Sequence, residues 1–137
     1  MVGLVVVSHS ERAAEGIAEV AAEMAGDTRI EPVGGDGKGG IGTVPDAIED
    51  AIDAAAGGAG GDGDAGDGGD GVVVLVDLGS AVMNADVAVE LSDAEAVIAD
   101  APVLEGAVNA AVAATDPSAT IESVREQAEA ARDIEKL

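Results

Sequence analysis

No Phe, Trp or Tyr and no cysteine occur among the 137 residues, histidine occurs once, and only six residues are basic. Without cysteine there is no disulfide, thiolate metal site or cysteine nucleophile, and the redox compartment stays open on that count. Without aromatic rings there is no stacking platform for a base or a sugar, and a core has to be packed from Val, Ile, Leu, Met and many Ala. The six cations face 28 acidic residues, which leaves a formal charge of -22. That charge opposes approach to nucleic acid or anionic lipid, both of which are bound through clustered Lys and Arg, so neither is expected as a partner. It also costs stability through self-repulsion, which points to surroundings rich in counterions, as in a salt-loving host. Long apolar runs are missing too: stretches such as residues 4–7 and 72–76 fall far below the roughly 20 residues of a membrane-spanning helix. The first residues carry none of the basic region, apolar segment or cleavage site of a secretory signal, so cytoplasmic residence is expected.

What is present suits one domain over residues 1–137, with 47% hydrophobic content. GLVVV at residues 3–7 is a short β-branched run, and after SHSE the residues Ala13, Ile17, Val20, Ala21 and Met24 recur at helical spacing. Ser8 and Glu11 have capping-box spacing, which puts the helix start at the histidine. Residues 29–33 read as a second strand, followed by the glycine-rich loop GGDGKGGIG. Thr43 is placed to cap a helix carrying Val44, Ile48, Ala51, Ile52 and Ala55 on one face. From 57 to 71 the chain holds only Gly, Ala and Asp, a composition that buries nothing and reads as a mobile surface loop.

Order resumes with VVVLVDLGS, whose unbroken apolar run marks a central strand, and then Ala81, Val82, Ala85 and Val89 at helical spacing. Residues 95–99 form a short edge-strand candidate. Leu104, Ala107, Val108, Ala111 and Val112 mark a helix after Pro102. Asp116 and Pro117 open a last helix with Ile121, Val124, Ala128 and Ala131 inward.

The order β-α-β-α-β-α-β-α-α argues for an α/β, flavodoxin-like three-layer sandwich with a mainly parallel four-stranded sheet. Right-handed crossovers give strand order 2-1-3-4. Ligands of such sheets bind beyond the strands' carboxyl ends where the order reverses, here between strands 1 and 3. SHS and DLGS leave those strands, so His9 and Asp77 should meet.

A neutral imidazole attacks phosphorus when its other ring nitrogen is held by an acceptor, and Asp77 is the candidate for that role. Amides at a helix N-terminus cradle an anion, and Gly79 and Ser80 open such a helix. Gly40 and Gly42 of the glycine loop are candidates for further phosphate-binding amides. The alternative for His9 is a helix-capping or surface role, and for Asp77 a loop or cap carboxylate. Ser8 and Ser10 read as caps.

Other patterns fail. Gly35, Gly37 and Gly40 spell GxGxxG between a strand and a helix, but the acidic ribose partner would fall in the Gly/Asp tract rather than at a strand end. Lys38 does not complete a Walker loop, and GDGDAGDGGDG lacks the twelfth-position glutamate of a calcium loop. No metal and no cofactor is expected.

The segments VVVSHSERAAEGIAEVAAEMA, GGDGKGGIGTV, VVVLVDLGSAVMNADVAVE and APVLEGAVNAA together resemble the phosphotransfer subunit of phosphoenolpyruvate-dependent dihydroxyacetone kinase, a relative of mannose-type enzyme IIA. The resemblance covers nearly all of the chain except the Gly/Asp tract. It implies a relay in which His9 takes a phosphoryl group from the phosphocarrier HPr and passes it to ADP on the kinase's nucleotide-binding subunit. In that relay Asp77 supports the imidazole and the turn at Gly79 and Ser80 binds the anion. It also implies a homodimer. A mannose-type sugar-transport IIA component, and a noncatalytic regulator holding a nucleotide in its glycine loop, are the alternatives. DLGSAVMN favours the kinase branch.

Overall fold

In the computed structural model, which describes residues 1–57 and 70–137, four parallel strands form one sheet of order β2-β1-β3-β4. The strands are β1 (Gly3–Ser8), β2 (Ile30–Gly34), β3 (Val72–Val76) and β4 (Ala96–Ile98). The helices are α1 (Glu11–Ala22), α2 (Pro45–Ala55), α3 (Ser80–Leu91), α4 (Val103–Ala114) and α5 (Ile121–Glu129). The α/β class, the parallel sheet and its strand order are those expected from the sequence. Most of the Gly/Asp tract, residues 58–69, lies outside the described residues, and with it the expectation of a mobile loop.

β1 and β3 are buried along their whole length because helices cover both sheet faces, which is why they read as unbroken apolar runs. Side chains alternate between the two faces. Leu4, Val6, Val73 and Leu75 join a core formed with α1, α4 and α5, while Val5, Val7, Val72, Val74 and Val76 join one formed with α2 and α3. Each of these buried strand residues contributes about 1.5–3 kcal/mol of hydrophobic stabilisation.

Three helices turn a different face to the sheet from the one their large apolar residues suggest: α3 buries Ala81, Ala85 and Ala88 and leaves Val82, Met83, Val87 and Leu91 exposed, and α1 and α4 behave alike. α1 buries Ala14, Ala18 and Ala21, with Ala25 just beyond its end, and leaves Val20 and Met24 about half exposed. α4 buries Gly106, Ala107, Ala110, Ala111 and Ala114 and leaves Leu104 and Val112 partly exposed. For α4 the reason is close approach. A Cβ on Gly106 would lie 2.9 Å from Ala101 Cβ and 3.2 Å from Leu75 Cδ1, so this interface admits only small residues.

Three helix starts also differ from expectation. α1 is capped by Ser10 as expected, its hydroxyl accepting from the Ala13 amide at 3.2 Å, but it starts at Glu11 rather than at the histidine, because Ser8 is still the last residue of β1. α2 starts behind Val44 without a side-chain cap, and Thr43 instead accepts from Asn84 Nδ2 at 2.6 Å. α5 starts at Ile121, where Thr120 and Ser123 form a capping box, while Asp116 ties a turn at Ser118. Ile121, Val124, Ala128 and Ala131 are buried as expected.

Gly34 lets β2 pass beside the end of β1. A Cβ there would stand 2.3 Å from the Ser8 carbonyl oxygen and 2.9 Å from that of Ser10, both backbone atoms of the turn holding His9. Gly34→Ala should therefore cost about 2 kcal/mol or more, read as a lower urea midpoint. Gly16→Ala, within α1 and with nothing within 4 Å of the added carbon, should be neutral or stabilise by about 0.5–1 kcal/mol.

Candidate active site

β1 and β3 lie side by side in the middle of the sheet, and the chain leaves them toward opposite edges, so a crevice opens beyond their carboxyl ends. Val7 pairs with Val76, which places His9 and Asp77 just past the ends of adjacent strands. The Asp77 amide donates to the Val7 carbonyl at 3.1 Å and the Gly42 amide to the His9 carbonyl at 2.9 Å. The turn carrying the histidine is thus tied to two neighbouring segments.

Asp77 is the centre of the polar network. Its Oδ1 accepts from its neighbour's amide, Leu78 N, at 2.7 Å and lies 3.0 Å from His9 Nδ1. Its Oδ2 accepts from the His9 amide at 2.9 Å and from the Ser8 hydroxyl at 3.0 Å. Burial pushes the Asp77 carboxyl up, but the donors from His9 N, Leu78 N, the His9 ring and Ser8 outweigh it and hold the group below the ordinary carboxylate range. The ionised carboxylate only accepts, so in the neutral imidazole Nδ1 carries the hydrogen and Nε2 the lone pair.

Nε2 lies 3.2 Å from Ser80 Oγ, at the first residue of α3. Gly79 precedes it with φ 56°, a left-handed conformation suited to glycine, and α3 therefore starts beside the imidazole. His9 and Asp77 are 23% and 16% exposed at their side chains, so the ring is reachable while its supporting carboxylate is sheltered. Ile41, Leu78 and Met83 stand 65–72% exposed on the three segments next to the imidazole.

The sequence-predicted residues divide into two groups. His9, Asp77, Gly79 and Ser80 are brought together. Gly40 and Gly42 are not available as phosphate ligands through their amides: Gly40 N donates to Asp36 Oδ1 at 2.9 Å, and Gly42 N to His9 O. The glycine loop is folded around Asp36, which also accepts from Lys38 N at 2.8 Å. The Gly40 and Lys38 amides hold that carboxyl below its ordinary range. Gly35, Gly37 and Gly39 adopt positive φ, so glycines there serve the turn. A cavity of about 390 Å³ lies between this loop and the start of α1, lined by Arg12 and Ile41 among others. Ser8 is the residue that sequence reasoning missed, because its capping-box spacing with Glu11 offered a simpler role.

Similarity to known proteins fits this geometry. Residues 3–125 match the EIIA-man family, described as the PTS system fructose IIA component. The chain belongs to this family. It is of the DhaM type within it. It is 38% identical over 117 residues to the PEP-dependent dihydroxyacetone kinase 2 phosphoryl donor subunit DhaM of Listeria innocua, covering 82% of this chain and 85% of that one. It is 35% identical over 127 residues to the PTS-dependent dihydroxyacetone kinase phosphotransferase subunit DhaM of Lactococcus lactis, covering 93% of each. The Escherichia coli phosphoryl donor subunit DhaM is 34% identical over 126 residues, which make up 24% of its length. Among solved structures, the unknown-function protein EF1359 superposes with a TM-score of 0.74 at 27% identity, over 93% of this chain and 92% of that one. Among the described residues no helix is long and apolar enough to cross a membrane, and no cluster of three or more His, Asp or Glu side chains is arranged to hold a metal ion.

Proposed function

We propose that this chain is a phosphohistidine relay which accepts a phosphoryl group on His9 from the phosphocarrier HPr and delivers it to ADP on the nucleotide-binding subunit of dihydroxyacetone kinase. The observation that carries this reading is the His9–Asp77 pair, with Nδ1 committed to the carboxylate and Nε2 facing the start of α3. In the first step the Nε2 lone pair forms a bond to phosphorus while the donor's N–P bond breaks and its imidazole leaves. In the second, an ADP phosphate oxygen forms a bond to phosphorus as the Nε2–P bond breaks, yielding ATP. Nδ1 keeps its hydrogen throughout, so the proton needs no separate acceptor. The positive charge that develops on the ring is stabilised by Asp77, and the phosphoryl oxygens take hydrogen bonds from the Ser80 hydroxyl and the amides of Gly79 and Ser80.

Phosphoryl transfer needs positioning and charge stabilisation more than covalent work from the protein, and these groups supply both. The exposed Ile41, Leu78 and Met83 give a partner protein an apolar surface to cover around the imidazole. On a chain of charge -22 such contacts tolerate high salt better than charge pairing does. The chain would act in the cytoplasm and, as the resemblance implies, as a homodimer.

The kinase branch is favoured over a sugar-transport component by the DhaM relatives. Offered both acceptors at high salt, the phosphorylated protein should make dihydroxyacetone phosphate when given the kinase subunits, ADP and dihydroxyacetone. It should transfer nothing to a mannose-type IIB protein. Transfer to the IIB protein alone would reverse that assignment.

A further inference from the structure

Ser8 and Thr28 are the two buried polar residues among those described, at 4% and 8% exposure, and they differ in what their hydroxyls do. Thr28 Oγ1 has no hydrogen-bond partner. Ser8 Oγ has two: it accepts from the Ser10 amide at 3.1 Å and lies 3.0 Å from Asp77 Oδ2. A carboxylate held ionised can only accept, so the Ser8 hydrogen points at Asp77, and the Ser10 amide fixes the hydroxyl in that rotation.

We infer that Ser8 is a positioning residue that fixes the plane of the Asp77 carboxylate and thereby keeps the Nδ1-protonated tautomer of His9. The carboxylate is ringed by four donor groups, and the His9 ring nitrogen reaches both oxygens, Oδ1 at 3.0 Å and Oδ2 at 3.2 Å. Oδ1 also takes Leu78 N, and Oδ2 takes His9 N and Ser8 Oγ. The two backbone amides hold one oxygen each at 2.7 and 2.9 Å, and the Ser8 hydroxyl is the side-chain donor that completes this restraint. The terminal torsion of an aspartate is intrinsically broad. Ser8 approaches from the end of β1 and restrains it. Without this hydroxyl, Oδ2 keeps the His9 amide and the longer contact to the ring, the carboxylate is held less firmly against Nδ1, and the preference for hydrogen on that nitrogen weakens. A loop or cap serine would explain the bond to Ser10 N but not the one to Asp77. Support of an imidazole through its carboxylate follows the same logic by which outer hydrogen bonds orient metal-binding histidines.

The inference rests on the proposed phosphorylation of His9 for its kinetic readout only. The test compares wild type, Ser8→Ala, Ser8→Thr and Ser8→Cys in the intact chain at high salt. It records ¹⁵N shifts of the His9 ring, the phosphorylation rate from phospho-HPr, and the melting temperature. The wild type should show hydrogen on Nδ1. Ser8→Ala should show a mixture of tautomers and a rate lower by about tenfold, with KM for phospho-HPr unchanged. Ser8→Thr, which keeps the hydroxyl, should restore both readouts. Ser8→Cys retains size but donates weakly, and should resemble the alanine variant if alanine itself fails to fold. A folded Ala or Cys variant with the wild-type tautomer and rate would overturn the role. If the wild type takes up no phosphate at all, the proposed function fails, and the tautomer shift alone decides on Ser8.

Discussion

His9→Gln, supplied with phosphoenolpyruvate, enzyme I and HPr at high salt, is expected to take up no acid-labile phosphate, whereas the wild type takes up one group per chain. Glutamine fills much of the space of the imidazole and can still reach Asp77 as a donor through its amide, so the fold and the turn should survive. What it lacks is a nucleophilic nitrogen. Loss of the nucleophile removes the covalent intermediate, so dihydroxyacetone phosphorylation through this chain should fall by at least about a thousandfold, to background. A smaller loss would mean that another group carries the phosphate. Ser80 is the nearest candidate, since its Oγ is 3.2 Å from Nε2, and Ser80→Ala on the His9→Gln background would expose it.

Asp77→Asn should be the second most damaging change. The two side chains are nearly isosteric, but an amide can turn its NH₂ toward Nδ1, which then becomes the acceptor, and the ring hydrogen moves to Nε2. The nitrogen facing the phosphoryl donor would lose its lone pair in that tautomer. Asn would also remove the negative charge that stabilises the ring as it becomes cationic during attack. The two effects act on one step, and together they should slow phosphorylation roughly a hundredfold or more without abolishing it. The expected pattern is a lower maximal rate with KM for phospho-HPr nearly unchanged, because the Asp77 side chain is only 16% exposed and offers a docking protein little surface. A variant that phosphorylates at the wild-type rate would show that Asp77 is only a cap of the turn.

Strand order and the meeting of His9 and Asp77 were legible in the sequence because both follow from patterns of long range. Unbroken apolar runs at residues 4–7 and 72–76 mark central strands, and a central pair in a doubly wound sheet defines the crevice. Helix faces were less legible. α1 and α4 bury alanines, and α4 also a glycine in close contact with Ala101 and Leu75, whereas hydrophobicity alone favours the larger Val20, Met24, Leu104 and Val112, which end up outside. Where amides are spent was not legible either. Gly40 and Gly42 read as open anion ligands from their residue type, yet one amide closes the turn on Asp36 and the other grips His9 O. Ser8 escaped for a related reason: its local spacing to Glu11 suggested a cap, while its partner, Asp77, lies 69 residues away.

The most direct test is the nitrogen–phosphorus linkage in the phosphorylated wild-type protein, read from ³¹P and ¹⁵N spectra at high salt. The account predicts one phosphoryl group on Nε2 of His9, with hydrogen retained on Nδ1. Phosphate on Nδ1, on a serine oxygen, or on no residue at all would contradict it.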